Sequence, residues 1–66
     1  MDEFIQELRH SAEQGDVEAQ FKLGFMYAKG LALPRDEQEA EVWLGKAAEQ
    51  GDVGARFQLQ LLREGN

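Results

Sequence analysis

The sequence of 66 residues contains no cysteine, one histidine and one proline. A chain without cysteine forms no disulfide and no thiolate metal site, and a small chain that folds without either is typical of the cytoplasm. The sequence also lacks any run of 18 apolar residues and any basic, apolar leader segment, so we expect neither a membrane span nor a signal peptide. These absences predict a cytoplasmic protein without a membrane partner.

Basic residues are also scarce, because seven stand against thirteen acidic residues and the formal net charge is -6. Such a charge repels phosphate groups, so we expect no direct binding to nucleic acid. Hydrophobic residues make up 42% of the sequence and charged residues 30%, which is typical of a folded globular chain. The length permits one domain, covering residues 1–66.

Patterns for catalysis and cofactor binding are missing as well. His10 is the only histidine, and its neighbours in sequence do not supply the nucleophile and orienting acid of a catalytic triad. One histidine among scattered carboxylates does not make a metal site, and the glycines lack the lysine–serine ending of a phosphate-binding loop. We therefore predict a protein that is not an enzyme and binds no cofactor or metal.

The chain contains an internal repeat. The segment Ala-Glu-Gln-Gly-Asp-Val occupies residues 12–17 and again residues 48–53, an offset of 36 residues. A repeat of this period indicates an architecture built from stacked helical or similar units, each too small to bury its own faces. The same offset relates further apolar positions on both sides of the segment: Leu8 and Leu44, Ala19 and Ala55, Phe21 and Phe57, Leu23 and Leu59.

Helix signals divide the chain into four helices, at residues 2–14, 17–29, 37–50 and 53–64. Pro34 lies in the longest predicted loop, and aspartates at 16, 36 and 52 stand where helix N-caps are expected. No segment alternates apolar and polar residues as a strand would. We predict an all-α fold of antiparallel helix hairpins stacked as a short α-solenoid, about one and a half repeats long.

Two blocks of residues carry a family resemblance. The first contains Ala12, Gly15, Ala19, Gln20, Phe21, Leu23, Gly24, Tyr27 and Gly30, and the second contains Asp36, Ala40, Trp43, Lys46, Ala47, Ala48 and Gly51. Together they resemble the Sel1-like repeat family, which is related to the tetratricopeptide repeats. The resemblance implies a helical repeat that acts as an interaction scaffold or adaptor and not as a catalyst. Ala32 stands where the family has its second loop glycine.

The last helix departs from the repeat pattern. Gln60 stands at the position equivalent to Gly24, and Arg63 at the position equivalent to Tyr27. Gly24 would allow close approach of a neighbouring helix, whereas these two polar side chains would not. We therefore expect no further helix to pack on this end of the stack.

Four apolar side chains are candidates for a protein-binding site. Phe25 and Met26 recur, at the repeat offset, as Leu61 and Leu62. The four could form an apolar strip that grips a partner helix or a second copy of the chain. For Phe25 and Met26 an ordinary core role remains equally open, whereas we favour an interface for Leu61 and Leu62. Phe57 is predicted to be core, by analogy with Phe21.

Acidic residues suggest an alternative function. Asp36, Glu37, Glu39 and Glu41 form the densest charge cluster, and they could meet the basic, nucleic-acid-binding surface of a target protein, as a small acidic inhibitor would. Helix stabilisation is the simpler interpretation, because acidic side chains are favoured at helix starts. The two functional hypotheses are thus an interaction module that uses the apolar strip, binding a protein partner or forming a homodimer, and an acidic inhibitor.

Overall fold

The computed structural model describes residues 3–65, and these residues form four α-helices and no strand. The helices are α1 (Glu3–Glu13), α2 (Val17–Lys29), α3 (Glu37–Glu49) and α4 (Val53–Arg63). The predicted all-α solenoid is confirmed. Three helices end one residue before the expected limit, and residue 2, which the sequence placed in the first helix, lies outside the described residues.

Aspartate caps and glycine turns set the helix boundaries. The Asp16 side chain accepts hydrogen bonds from two backbone N–H groups of the first turn of α2, and Asp36 and Asp52 each accept one from the helix that follows them. Gly15 and Gly51 precede two of these caps in a left-handed conformation, with φ of 98° and 96°. Because both turns are short, α1 and α2 run antiparallel, as do α3 and α4.

Helix α2 lies at the centre of the stack, with α1 on one side and α3 and α4 on the other. Leu23 of α2 and Leu44 of α3 are fully buried. Gly24 makes the closest helix approach possible, because a methyl group at this position would lie 2.7 Å from Leu44 Cγ and 2.9 Å from the Leu44 backbone nitrogen. The expectation that Gly24 admits a neighbouring helix agrees with this geometry.

Glutamine side chains tie one repeat to the next. Gln50, at the end of α3, donates from Nε2 to the Gly15 carbonyl oxygen at 3.0 Å and to Gln20 Oε1 at 2.9 Å. The buried Gln20 in turn donates to the Ala12 carbonyl oxygen at 3.1 Å. This arrangement satisfies a buried polar side chain and fixes the end of α3 against the turn that precedes α2.

The loop at residues 30–36 contains a non-glycine residue in the left-handed region. Ala32 has φ of 62°, where an L side chain crowds the backbone. The loop is held at both ends, because Gly30 donates its N–H to the Met26 carbonyl and Asp36 donates its N–H to the Tyr27 carbonyl, at 2.8 and 3.0 Å. Ala32 thus adopts a left-handed conformation at the position where the resembled family has glycine.

Candidate protein-binding surface

Three large apolar side chains of α4 are exposed on one helix face. Val53 is 76% exposed, Phe57 58% and Leu61 44%. Residues four positions apart in an α-helix lie on the same face, so the three side chains form one continuous stripe along the helix. We call these three residues the α4 stripe. An exposed apolar patch of this kind is typical of a surface that contacts another protein.

The internal repeat shows what covers such a stripe elsewhere in the fold. At the 36-residue offset, the α4 stripe corresponds to Val17, Phe21 and Phe25 of α2. Val17 and Phe21 are half-buried against the core, and the Phe21 ring lies 3.5 Å from where a methyl group on Gly54 would stand. The start of α4 thus packs against Phe21, the middle residue of the equivalent stripe on α2. No helix within residues 3–65 covers the stripe on α4.

The sequence-based prediction that Phe57 belongs to the core was wrong. Phe57 was predicted to be core because its repeat equivalent, Phe21, was placed there, but the Phe57 side chain is mostly exposed. The physical reason is that Phe21 is covered by the helix that follows in the stack, whereas Phe57 lies on the last helix of the described chain. The position of a residue in the repeat predicts the direction of its side chain. The side chain is buried only if the next helix of the stack covers it.

The four residues of the predicted strip occupy different environments. Phe25 is half-buried and stacks on Phe21, with ring centroids 5.8 Å apart. Met26 and Leu62 are half-buried and pack against the core. Leu61 alone of the four is classed as exposed. The strip thus combines one directly accessible side chain with three that are partly taken up by packing within the chain.

A shallow groove of about 300 Å³ adjoins the C-terminal part of the α4 stripe. Leu61 and Leu62 line it together with Gln58 of α4, the end of α2 at Ala28 and Lys29, Arg35 of the loop and Glu37 of α3. The Lys29 ammonium also lies 5.6 Å from the centroid of the Phe25 ring. Charged and amide groups therefore lie beside Leu61 and Leu62 in this groove.

Each carboxylate of the acidic cluster has a partner within the chain. Asp36 caps α3, and Glu39 accepts a hydrogen bond from Trp43 Nε1 at 3.3 Å. Glu37 forms an ion pair with Arg35, and Glu41 forms one with Arg63 at 2.9 Å. The two ion pairs are exposed and contribute little to stability. Every carboxylate of the cluster nevertheless has a partner within or beside α3.

Other kinds of site find little support in the described residues. His10 is exposed on α1. Residues 3–65 contain no group of three or more side chains that could hold a metal ion. Within the same range, no helix combines the length and apolar character needed to cross a membrane.

Comparison with known proteins agrees with the repeat architecture. The family profile described as Sel1 repeat matches residues 17–52, which is 36 of the 66 residues and includes α2, the loop and α3. A search of curated proteins and a search of solved structures found no match. Sel1 repeats generally mediate contacts between proteins and are not catalytic. By the match over more than half of its length, the chain belongs to the Sel1 repeat family.

Proposed function

We propose that this chain is a small cytoplasmic, non-catalytic adaptor or regulator that binds another protein molecule through the α4 stripe. Of the strip residues predicted from the sequence, Leu61 is a direct contact, and Phe25, Met26 and Leu62 serve as secondary contacts. The observation that carries the proposal is the exposure of Val53, Phe57 and Leu61 on one face, where the equivalent residues of α2 are half-buried and Phe21 packs against the start of α4.

The energetic argument follows from burial of apolar surface. Each large side chain of the stripe that a partner covers contributes roughly 25 cal/mol per Å² of apolar area removed from water. Aromatic residues such as Phe57 are enriched among the side chains that dominate binding energy at interfaces. A bound partner would also stabilise the fold, because a chain of this size buries only a limited core.

Binding can be tested with matched variants on two helices. The double variant Phe57→Asp, Leu61→Asp places two charges on the α4 stripe, and Val42→Asp is the control, because Val42 is 49% exposed on α3. Each immobilised chain is incubated with a lysate of the source cells, and bound proteins are quantified by mass spectrometry. We expect at least one protein to bind the wild-type and Val42→Asp chains and to be lost from the double variant. Equal binding by all three chains would contradict the proposal.

The inhibitor hypothesis has no specific observation in its favour. All four carboxylates between residues 36 and 41 make contacts within the chain. A surface that binds a basic target would instead be expected to keep its carboxylates available. We therefore carry forward the interaction module alone.

A further inference from the structure

The two ends of the stack expose equivalents of side chains that are buried inside it. On α3, Trp43 and Ala47 are buried, whereas their equivalents on α1 are the exposed Glu7 and the half-buried Ser11. Each end of the described stack thus exposes part of a surface whose repeat equivalent is buried inside it. Five residues of α2 are buried, and three of them have equivalents on α4 that are exposed: Gln20 and Arg56, Gly24 and Gln60, Tyr27 and Arg63.

These two end faces carry opposite charge. Helix α4 contains no acidic residue between Val53 and Arg63, although the chain has thirteen. Its two charged side chains are Arg56, which donates to the Ala48 carbonyl oxygen at 3.5 Å, and Arg63, which is paired with Glu41 of α3. Helix α1 contains one arginine and three glutamates: Glu3, Glu7 and Glu13. Opposite charge on two faces favours their contact and disfavours contact of either face with itself.

The two ends of the stack also carry the repeat equivalents of the donor and the acceptor of a hydrogen bond that forms inside the chain. Inside the chain, Gln50 donates to the Gly15 carbonyl oxygen and joins the end of α3 to the turn before α2. The equivalent glutamine at the end of α1 is Gln14, and the equivalent turn glycine before α4 is Gly51. The Gln14 side chain is exposed and makes no hydrogen bond to any residue between 3 and 65. The donor thus stands at one end of the stack and its equivalent acceptor at the other.

We infer that the end face of α4 binds α1 of a second copy of this chain, so that the copies continue the stack head to tail. In this contact Gln14 of the second copy donates to the Gly51 carbonyl oxygen, and Glu7 of the second copy faces Arg56, while Arg63 keeps its ion pair with Glu41. The inference rests on the proposed function, since it names a second copy as the protein that the α4 end binds.

The inference departs from the sequence-based expectation, drawn from Gln60 and Arg63, that no further helix packs on this end. The contact forms nonetheless, and two substitutions make it looser than the interface between α2 and α3. Gln60 replaces the glycine that lets Leu44 approach α2, and Glu18 of the second copy would face Phe57, where Gly54 faces Phe21 within the chain. The contact joins two different faces of the molecule. A dimer therefore still has one unused α1 face and one unused α4 face, and further copies can add to it. We therefore expect weak association that grows with concentration.

Sedimentation equilibrium of the full chain tests the inference across concentrations from micromolar to millimolar. The expected result is a mass-average that rises from the 7.5 kDa of one chain and passes that of a dimer. Two variants each reverse the charge on one end face: Arg56→Glu on α4 and Glu7→Arg on α1. Each should weaken self-association about tenfold. Circular dichroism of both variants is the control, and it should show that each remains helical.

Mixing the two variants separates a head-to-tail contact from a symmetric dimer. Arg56→Glu keeps its α1 face and Glu7→Arg keeps its α4 face. The two reversed charges are also of opposite sign, so a mixture of the variants should restore association at both kinds of contact. A symmetric dimer through the α4 stripe would instead be unaffected by Glu7→Arg, because α1 takes no part in that contact. That pattern would overturn the inference.

A pair of glutamine variants gives a second, independent readout. Gln14→Ala should weaken self-association and leave the melting temperature of the dilute chain unchanged, whereas Gln50→Ala should lower the melting temperature. Equal association of the wild-type and Gln14→Ala chains would overturn the proposed bond to Gly51. A chain that stays monomeric at every concentration would overturn the inference as a whole, while the capture experiment with Phe57→Asp, Leu61→Asp would still decide the proposed function.

Discussion

The approach of α2 and α3 at Gly24 allows a quantitative test of the fold. Gly24→Ala and Gly45→Ala introduce the same methyl group in the middle of two packed helices. At Gly45 nothing lies within 4 Å of the new methyl group, so the variant gains the helix propensity of alanine, about 1 kcal/mol. At Gly24 the methyl group meets Leu44 Cγ at 2.7 Å and the Leu44 backbone nitrogen at 2.9 Å, and the helices must separate.

The two variants should therefore differ in sign. Overpacking of a closely packed interior costs about 1–3 kcal/mol, and at Gly24 we expect the upper part of this range because a backbone atom, which cannot move alone, is in contact. After the gain in propensity is subtracted, Gly24→Ala is destabilised by about 1–2 kcal/mol relative to the wild type. Since 1 kcal/mol shifts the melting temperature of a domain this small by roughly 4–8 °C, the two variants should melt about 10 °C or more apart.

Thermal unfolding followed by far-UV circular dichroism measures this difference, with urea unfolding as a second determination of the free energy. The measurement is made at a low concentration, where self-association does not contribute to stability. The reasoning would be refuted if Gly24→Ala were as stable as Gly45→Ala, because the Leu44 contact would then not limit the distance between the helices.

Three further predictions concern single positions. Ala32→Gly should stabilise the chain by about 1 kcal/mol, seen as a higher melting temperature, because φ of 62° is strained for alanine; an unchanged or lower value would show that the loop does not hold this conformation. Asp52→Ala should destabilise it by about 1 kcal/mol in urea unfolding, because the bond to the Ala55 N–H at 3.1 Å is lost; no change would refute the role of this cap. Leu62→Asp should lower the melting temperature more than Leu61→Asp, since Leu62 packs against the core; the reverse order would contradict the packing of α4.

The helices and their order could be predicted from the sequence because their signals are local. An aspartate cap, a glycine turn and apolar residues at helical spacing act within one or two turns of the chain, and the repeat then places the units next to each other. The role of Gly24 could also be predicted, because a glycine inside an apolar helix indicates close approach of a neighbour.

Burial at the end of the stack could not be predicted in the same way. Phe21 and Phe57 are equivalent in sequence, and only the three-dimensional arrangement shows that the start of α4 covers one of them and leaves the other exposed. Similarly, Leu61 and Leu62 are neighbours of the same residue type, but the direction of each side chain relative to the core separates an exposed residue from a half-buried one. These differences depend on the next helix in space and leave no local signal.

Hydroxyl-radical footprinting of Leu61 is the most direct measurement of whether the α4 stripe contacts protein. Leu31, in the loop, is a matched reference, because the two leucines are 44% and 49% exposed in the isolated chain. The dilute purified chain should be labelled similarly at both positions. In a concentrated lysate of the source cells, or at high concentration of the chain itself, oxidation at Leu61 should fall while that at Leu31 remains unchanged. Equal labelling of the two leucines under all conditions would contradict the assignment of α4 as the binding surface.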